Sequence, residues 1–167
     1  VTAALTTDPA RIQARTTPVR PTRAQLLAVL AVKLLGHGDP KDFAALFSTD
    51  AVNRPGDYAP AVCKATGPDA VWATSQWLRR AFGDLDWTIR AVAGNGPTVV
   101  VAAGMSGRHR GPLTLHDRHG VPTRVIPASG LRFTVARTYR FRIAGHRIVE
   151  RSVDFGELGT LGKDSRP

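Results

Sequence analysis

The chain has 167 residues, a formal net charge of +10 and a single cysteine. One thiol excludes an intrachain disulfide framework and a cysteine-based zinc cluster, and the length is that of one ordinary domain with its own core. No apolar run approaches the roughly 18 residues that a membrane-spanning helix needs, and no Gly-rich phosphate loop or Gly-x-Ser-x-Gly elbow occurs.

Residues 1–20 are rich in Thr, Ala, Arg and Pro without an apolar period. They read as a flexible arm ahead of one domain at 21–162, with a short tail at 163–167. The first residues carry four Arg and no apolar run, so they do not read as a secretory leader and the expected address is cytoplasmic.

Thr22 can cap a helix through Leu26, Leu27, Leu30, Val32 and Leu35, stopped at Gly36. Asp39-Pro40 reads as a cap followed by proline in the first turn of a short helix with Phe43, Leu46 and Phe47 on its apolar side. A short strand at Ala51–Asn53 and a loop come next. Gly67-Pro68-Asp69 opens a third helix with Val71, Thr74, Ser75, Leu78 and Ala81 inward and Arg79-Arg80 outward.

From Leu85 the period changes to two. A strand turns at Gly94-Asn95-Gly96 into a partner at Thr98–Ser106. Residues 107–129 read as a long loop. Leu131–Ile143 and Arg147–Phe155 form two more strands about Ala144-Gly145-His146. Helices first and antiparallel strands afterwards is an α+β order. A curved sheet over those helices would leave a cone with an apolar pocket.

The charge is concentrated at 108–151, where ten Arg face only Asp117 and Glu150. These Arg alternate with Phe, Val and Tyr along strands and form no basic helix, so the pattern does not read as a nucleic-acid binder. His109, His116 and His119 lie near Asp117, but on a loop without the geometry that fixes metal ligands, so no metal is expected. Trp72 and Trp77 fit either the core or a pocket wall.

More informative are polar residues on faces that should be apolar. Arg137 and Tyr139 interrupt the face of Leu131, Phe133, Val135, Phe141 and Ile143. Strict alternation puts Ile148, Glu150, Ser152 and Asp154 on one face of the last strand and Val149, Arg151, Val153 and Phe155 on the other. A carboxylate beside an apolar pocket must pair with Arg or hold a raised pKa, as a general acid/base does.

Several segments together resemble the SnoaL-like polyketide cyclases, or ester cyclases, of the nuclear transport factor 2-like superfamily. They are Ala81-Phe82-Gly83-Asp84-Leu85, Gly107-Arg108-His109-Arg110-Gly111, Ser129-Gly130-Leu131-Arg132-Phe133, the run Tyr139-Arg140-Phe141-Arg142-Ile143 with Gly145-His146-Arg147-Ile148-Val149-Glu150, and Glu157-Leu158-Gly159. The resemblance implies a cone-shaped, cystatin-like α+β barrel, with a curved antiparallel or mixed sheet over three N-terminal helices. It also implies a homodimer with no cofactor, a polyketide-type small-molecule substrate, and neither nucleic acid nor membrane as partner.

By resemblance, the activity is ring closure by intramolecular aldol condensation. The family's closing Glu-His-Trp-x-x-x-Asp is here Glu150-Arg151-Ser152-Val153-Asp154-Phe155-Gly156, so Asp154 is the expected acid/base. His109 matches and would donate to the oxyanion, with Arg137 tuning charge. Tyr139, Asn53, Arg54, Trp72, Trp77, Glu150, Ser152 and Phe133 are the expected substrate-binding set. Two alternatives stay open at this point. One is epoxide opening or isomerisation, with Glu150 and Asp154 around Arg137; the other is a non-catalytic small-molecule binder.

Overall fold

A computed structural model describes residues 20–154. The flexible arm expected at 1–20 falls almost wholly outside them, as do the tail, Phe155, Gly156 and Glu157-Leu158-Gly159.

The helices form where their caps predict. In α1 (Arg23–Leu34) the Thr22 hydroxyl accepts from the Gln25 amide while the Gln25 side chain accepts from the Thr22 amide. Asp39 and Asp42 make the same reciprocal pair at α2 (Pro40–Leu46), with Pro40 in the first turn. Helix α3 (Pro68–Ala81) starts after Gly67, whose φ of 88° is costly for any residue with a Cβ. Arg79 does not face outward as expected. Its guanidinium donates to the carbonyls of Leu34, Leu35 and Gly38, closing the C-terminal end of α1.

Strand β1 (Phe47–Arg54) follows α2 directly and is longer than expected. After a single 3-10 turn at Ala61–Lys64 and α3 come β2 (Phe82–Ala93) and β3 (Thr98–His109), then β4 (Leu113–His116) and β5 (Pro122–Ile126), and finally β6 (Arg132–Ala144) and β7 (Arg147–Asp154). Five strands form one open sheet in the order β1-β7-β6-β3-β2; β4 and β5 form a separate pair. The 107–129 loop is therefore mostly structured: β3 runs through His109, and a hairpin occupies much of the rest. All main-sheet neighbours are antiparallel except β1 and β7, which are parallel.

One face of the sheet packs on the helices. Trp87, Phe43, Phe47, Phe141, Met105 and Ile148 are fully buried there. Among the described residues no helix is long and apolar enough to cross a membrane.

The alternation expected of β7 fails at one point. Ile143 pairs with Ile148 but Arg142 pairs with Glu150, so β7 carries an extra residue, Val149. This β-bulge resets the faces. Ile148, Arg151 and Val153 point inward and are buried, while Ser152 is half-buried and Asp154 exposed on the other side.

Candidate functional site

The buried face of the sheet holds a continuous polar chain. Parallel pairing sets Asn53 of β1 beside Arg151 of β7, and the Arg151 Nη1 donates to Asn53 Oδ1 at 2.9 Å. The Asn53 amide nitrogen donates to the Cys63 carbonyl (2.7 Å), the Thr74 hydroxyl (2.9 Å) and the Ala70 carbonyl (3.3 Å). That orients its oxygen toward the guanidinium. Arg151 also lies over the Tyr139 ring, 5.5 Å from the centroid, a favourable cation–π arrangement. The Tyr139 hydroxyl accepts from Trp87 Nε1 at 2.6 Å.

Arg151 is 1% exposed. Its Nε has no hydrogen-bond partner, and no carboxylate pairs with it among the described residues. No Asp or Glu among them is fully buried. Withdrawing a guanidinium from water without a counter-ion is costly, and burial pushes its pKa down, opposed by Tyr139 and Cys63 nearby. Burial pushes the Tyr139 phenol up, with Arg151 opposing. Tyr139 is therefore a neutral phenol at physiological pH. The buried Cys63 thiol is likewise raised by burial, against a hydrogen bond with Thr74 and the field of Arg151.

This chain reaches solvent at a cleft of about 620 Å³ where β1 and β7 end, a size suited to a small organic molecule. Asn53, Arg54, Pro55, Asp57, Lys64, Arg118, Ser152 and Val153 are among its walls. Asn53 thus belongs to both the cleft and the buried network, with Arg151 directly behind it. Lys64 Nζ donates to the backbone carbonyls of Asp57 (3.0 Å) and Asp117 (3.5 Å). Arg118 Nε donates to His119 Nε2. Arg54 pairs with Glu150 at 3.1 Å.

Three of the expected substrate-binding residues, Asn53, Arg54 and Ser152, share this cleft, and Tyr139 lies in the network behind it. Others are placed elsewhere. Trp72 and Trp77 line a second groove of about 460 Å³ beside β4, where Trp77 Nε1 donates to the Thr114 carbonyl. Glu150 faces outward, bonded to Arg54 and Arg142. It therefore does not join Asp154 around Arg137, which is buried on the other face. That removes the geometry the epoxide-opening reading required. Asp154, expected at the centre of the hollow, is exposed and points away from it because of the Val149 bulge.

His109 is not gathered with Asp154 and Arg137. It bonds through its backbone to Leu131, whereas Asp154 pairs with Thr138, seven residues along β6, or roughly 23 Å at about 3.3 Å per residue. Its ring packs on Phe82 (centroids 5.4 Å apart), Ser129 Oγ lies 3.4 Å from Nδ1, and Nε2 has no partner among the described residues. Phe133 meets the same Phe82 edge-on at 4.9 Å.

Two of the segments noted in the sequence prove to be a clasp. The amides of Arg110 and Gly111 both donate to the Ala81 carbonyl, and Arg110 pairs with Asp84 at 2.7 Å. A Cβ at Gly111 would overlap the Arg80 carbonyl. These contacts fasten α3 and β2 to the end of β3.

Sequence reasoning missed Arg151, Lys64, Asp57 and Arg118 as a group. The available signal was an Arg flanked by Val149 and Val153. The parallel β1–β7 pairing that gives that Arg its partner leaves no local trace.

Three helices against one face of an open mixed sheet, with a polar-floored cleft at its end, define a small α+β domain of the nuclear transport factor 2-like class. The SnoaL-like domain model matches residues 28–151, and the chain belongs to that family. Among solved structures it is similar to TsrD from Streptomyces laurentii, with 25% identity over 79% of this chain and 87% of that one (TM-score 0.59). It is also similar to a candidate SnoaL-like polyketide cyclase from Jannaschia Sp. CCS1, at 19% identity over 86% and 94% of the two chains (TM-score 0.62). A Catenulispora acidiphila protein with a ketosteroid isomerase-like fold aligns at 17% identity over 87% and 95% (TM-score 0.58). No relative among curated proteins matches the chain.

Proposed function

We propose that the chain is a cofactor-independent cyclase acting on a small, polyketide-like carbonyl compound in the β1–β7 cleft. The observation that carries this reading is the fully buried Arg151 guanidinium, held by Asn53 directly beneath the cleft wall. A fixed positive charge close behind the wall stabilises an oxygen that becomes negative when an enolate forms. Membership of the SnoaL-like family points to the same class of chemistry.

Asp57 is the carboxylate on the cleft wall among the described residues and takes the proton-transfer role expected of Asp154. It removes a proton from a carbon flanked by two carbonyls. The enolate carbon then bonds to a carbonyl carbon of the same molecule, and the resulting alkoxide takes the proton back from Asp57. An ordinary carboxylate suffices as base where a fixed positive charge lowers the energy of the enolate. The cleft contributes by folding the substrate so that its two reacting carbons meet.

The test is deuterium exchange, followed by NMR, at the acidic carbon of an aryl 1,3-diketone in D2O. The full chain should exchange it faster than buffer, and Asp57→Asn should lose roughly tenfold or more of that gain. Exchange no faster than buffer overturns the enzyme reading. A non-catalytic binder is the second reading, favoured by the lack of any buried carboxylate among the described residues. It predicts binding of the diketone with no exchange.

A further inference from the structure

We infer that the ligand of the β1–β7 cleft is a carboxylate rather than its ester, selected by a cluster of cations that spend their hydrogen bonds on neutral acceptors. The inference rests on the cleft being the ligand site and extends that reading to the charge of the ligand.

Three cations carry the argument. Lys64 bonds two backbone carbonyls, Arg118 bonds a histidine ring nitrogen, and Arg151 bonds the Asn53 amide oxygen. None has a carboxylate partner among the described residues. Among the described residues, nearby acids cancel them only in part. Glu150 is engaged by Arg54 and Arg142 on the outer face. The Asp117 carboxylate accepts from the amides of Val121 and His119, which hold its pKa below the usual range, and its charge also acts on Lys64 and offsets part of it. Among the described residues Asp57 is the one carboxylate on the cleft wall, against Lys64, Arg118 and the Glu150-paired Arg54.

Exposed lysines and arginines alone would be a solvated rim. Arg151 makes the difference. A buried guanidinium without a counter-ion is destabilising, and an unused Nε donor adds to the cost. It lies behind Asn53, a residue of the cleft wall, and its charge acts on the cleft from there. A ligand anion arriving there offsets a cost the fold already carries; a neutral ester does not. Arg151 is accordingly a positioning residue, acting by its charge from behind Asn53.

The experiment compares binding of 2-naphthoate and methyl 2-naphthoate to the full chain by calorimetry, at low and high sodium chloride. The expected result is a preference of at least about tenfold for the carboxylate, shrinking as salt rises. Lys64→Gln with Arg118→Gln should cut that preference severalfold. Arg151→Met should cut it further while leaving ester affinity in place, which a merely structural arginine would not do. If Arg151→Met does not fold, the surface double variant decides alone. Equal or tighter binding of the ester, no carboxylate binding at millimolar concentration, or a preference indifferent to these substitutions overturns the inference. Turnover is not read, so the two proposals fail separately. A chain that prefers the carboxylate but exchanges no deuterium keeps this inference and loses the enzyme reading; one that exchanges but prefers the ester does the opposite.

Discussion

Strands β6 and β7 carry arginines on both faces, and the two sets live in different physical worlds. On the outer face, Arg142 and, from β1, Arg54 share Glu150, with side chains more than half exposed. Water screens these pairs, and each contributes a few tenths to about 1 kcal/mol. On the inner face, Arg151 and Arg137 are 1% and 2% exposed. There a guanidinium is held by an amide, an aromatic ring and packing. The same residue type five positions away along β6, Arg137 against Arg142, thus changes from a solubilising surface group to a costly internal charge. A fold keeps such a charge where its field is used.

The largest expected effect is on the inner face. Arg151→Ala should cost about 3 kcal/mol or more in urea unfolding, because it opens a cavity and leaves Asn53 Oδ1 without its donor. Arg151→Met fills most of that volume and removes the buried charge. It should cost less than half as much. If the two cost the same, packing is not what separates them.

An intermediate effect comes with pH. Burial raises the folded-state pKa of both Cys63 and Tyr139 above their ordinary 9.0 and 10.0. The unfolded chain therefore releases these protons first. Their contribution is complete below pH 9 and is lost as pH rises through the folded-state values. Unfolding followed from pH 7 to 11 should show stability falling from about pH 9, and Cys63→Ala should remove the first part of the fall. The smallest effect belongs to the outer face. Arg142→Gln should change stability by about 0.5 kcal/mol or less, and a loss above about 1.5 kcal/mol would erase the contrast between the faces.

Much of the fold could be read from local signals. Thr22, Asp39 and Gly67-Pro68 announce helix starts because capping is chemistry among neighbours in sequence. The β2–β3 hairpin shows itself by period and turn. The site was less legible, for two identifiable reasons. Assigning faces on β7 by strict alternation fails at Val149, since a bulge has no fixed sequence signature. That one residue turns Asp154 to solvent and leaves Arg151 inside. The second reason is topological. Asn53 and Arg151 are 98 residues apart and meet only because β1 runs parallel to β7. The hairpin in 107–129 was hidden because β4 has only four residues, too few to display a period.

The central claim is that the buried charge of Arg151, set behind Asn53, stabilises the oxygen that becomes negative during reaction. Its most direct test is the rate of deuterium exchange into the aryl 1,3-diketone by folded Arg151→Met beside the unaltered chain. The account predicts kcat lowered roughly tenfold or more, with KM changed far less. Equal kcat in the two proteins would contradict it.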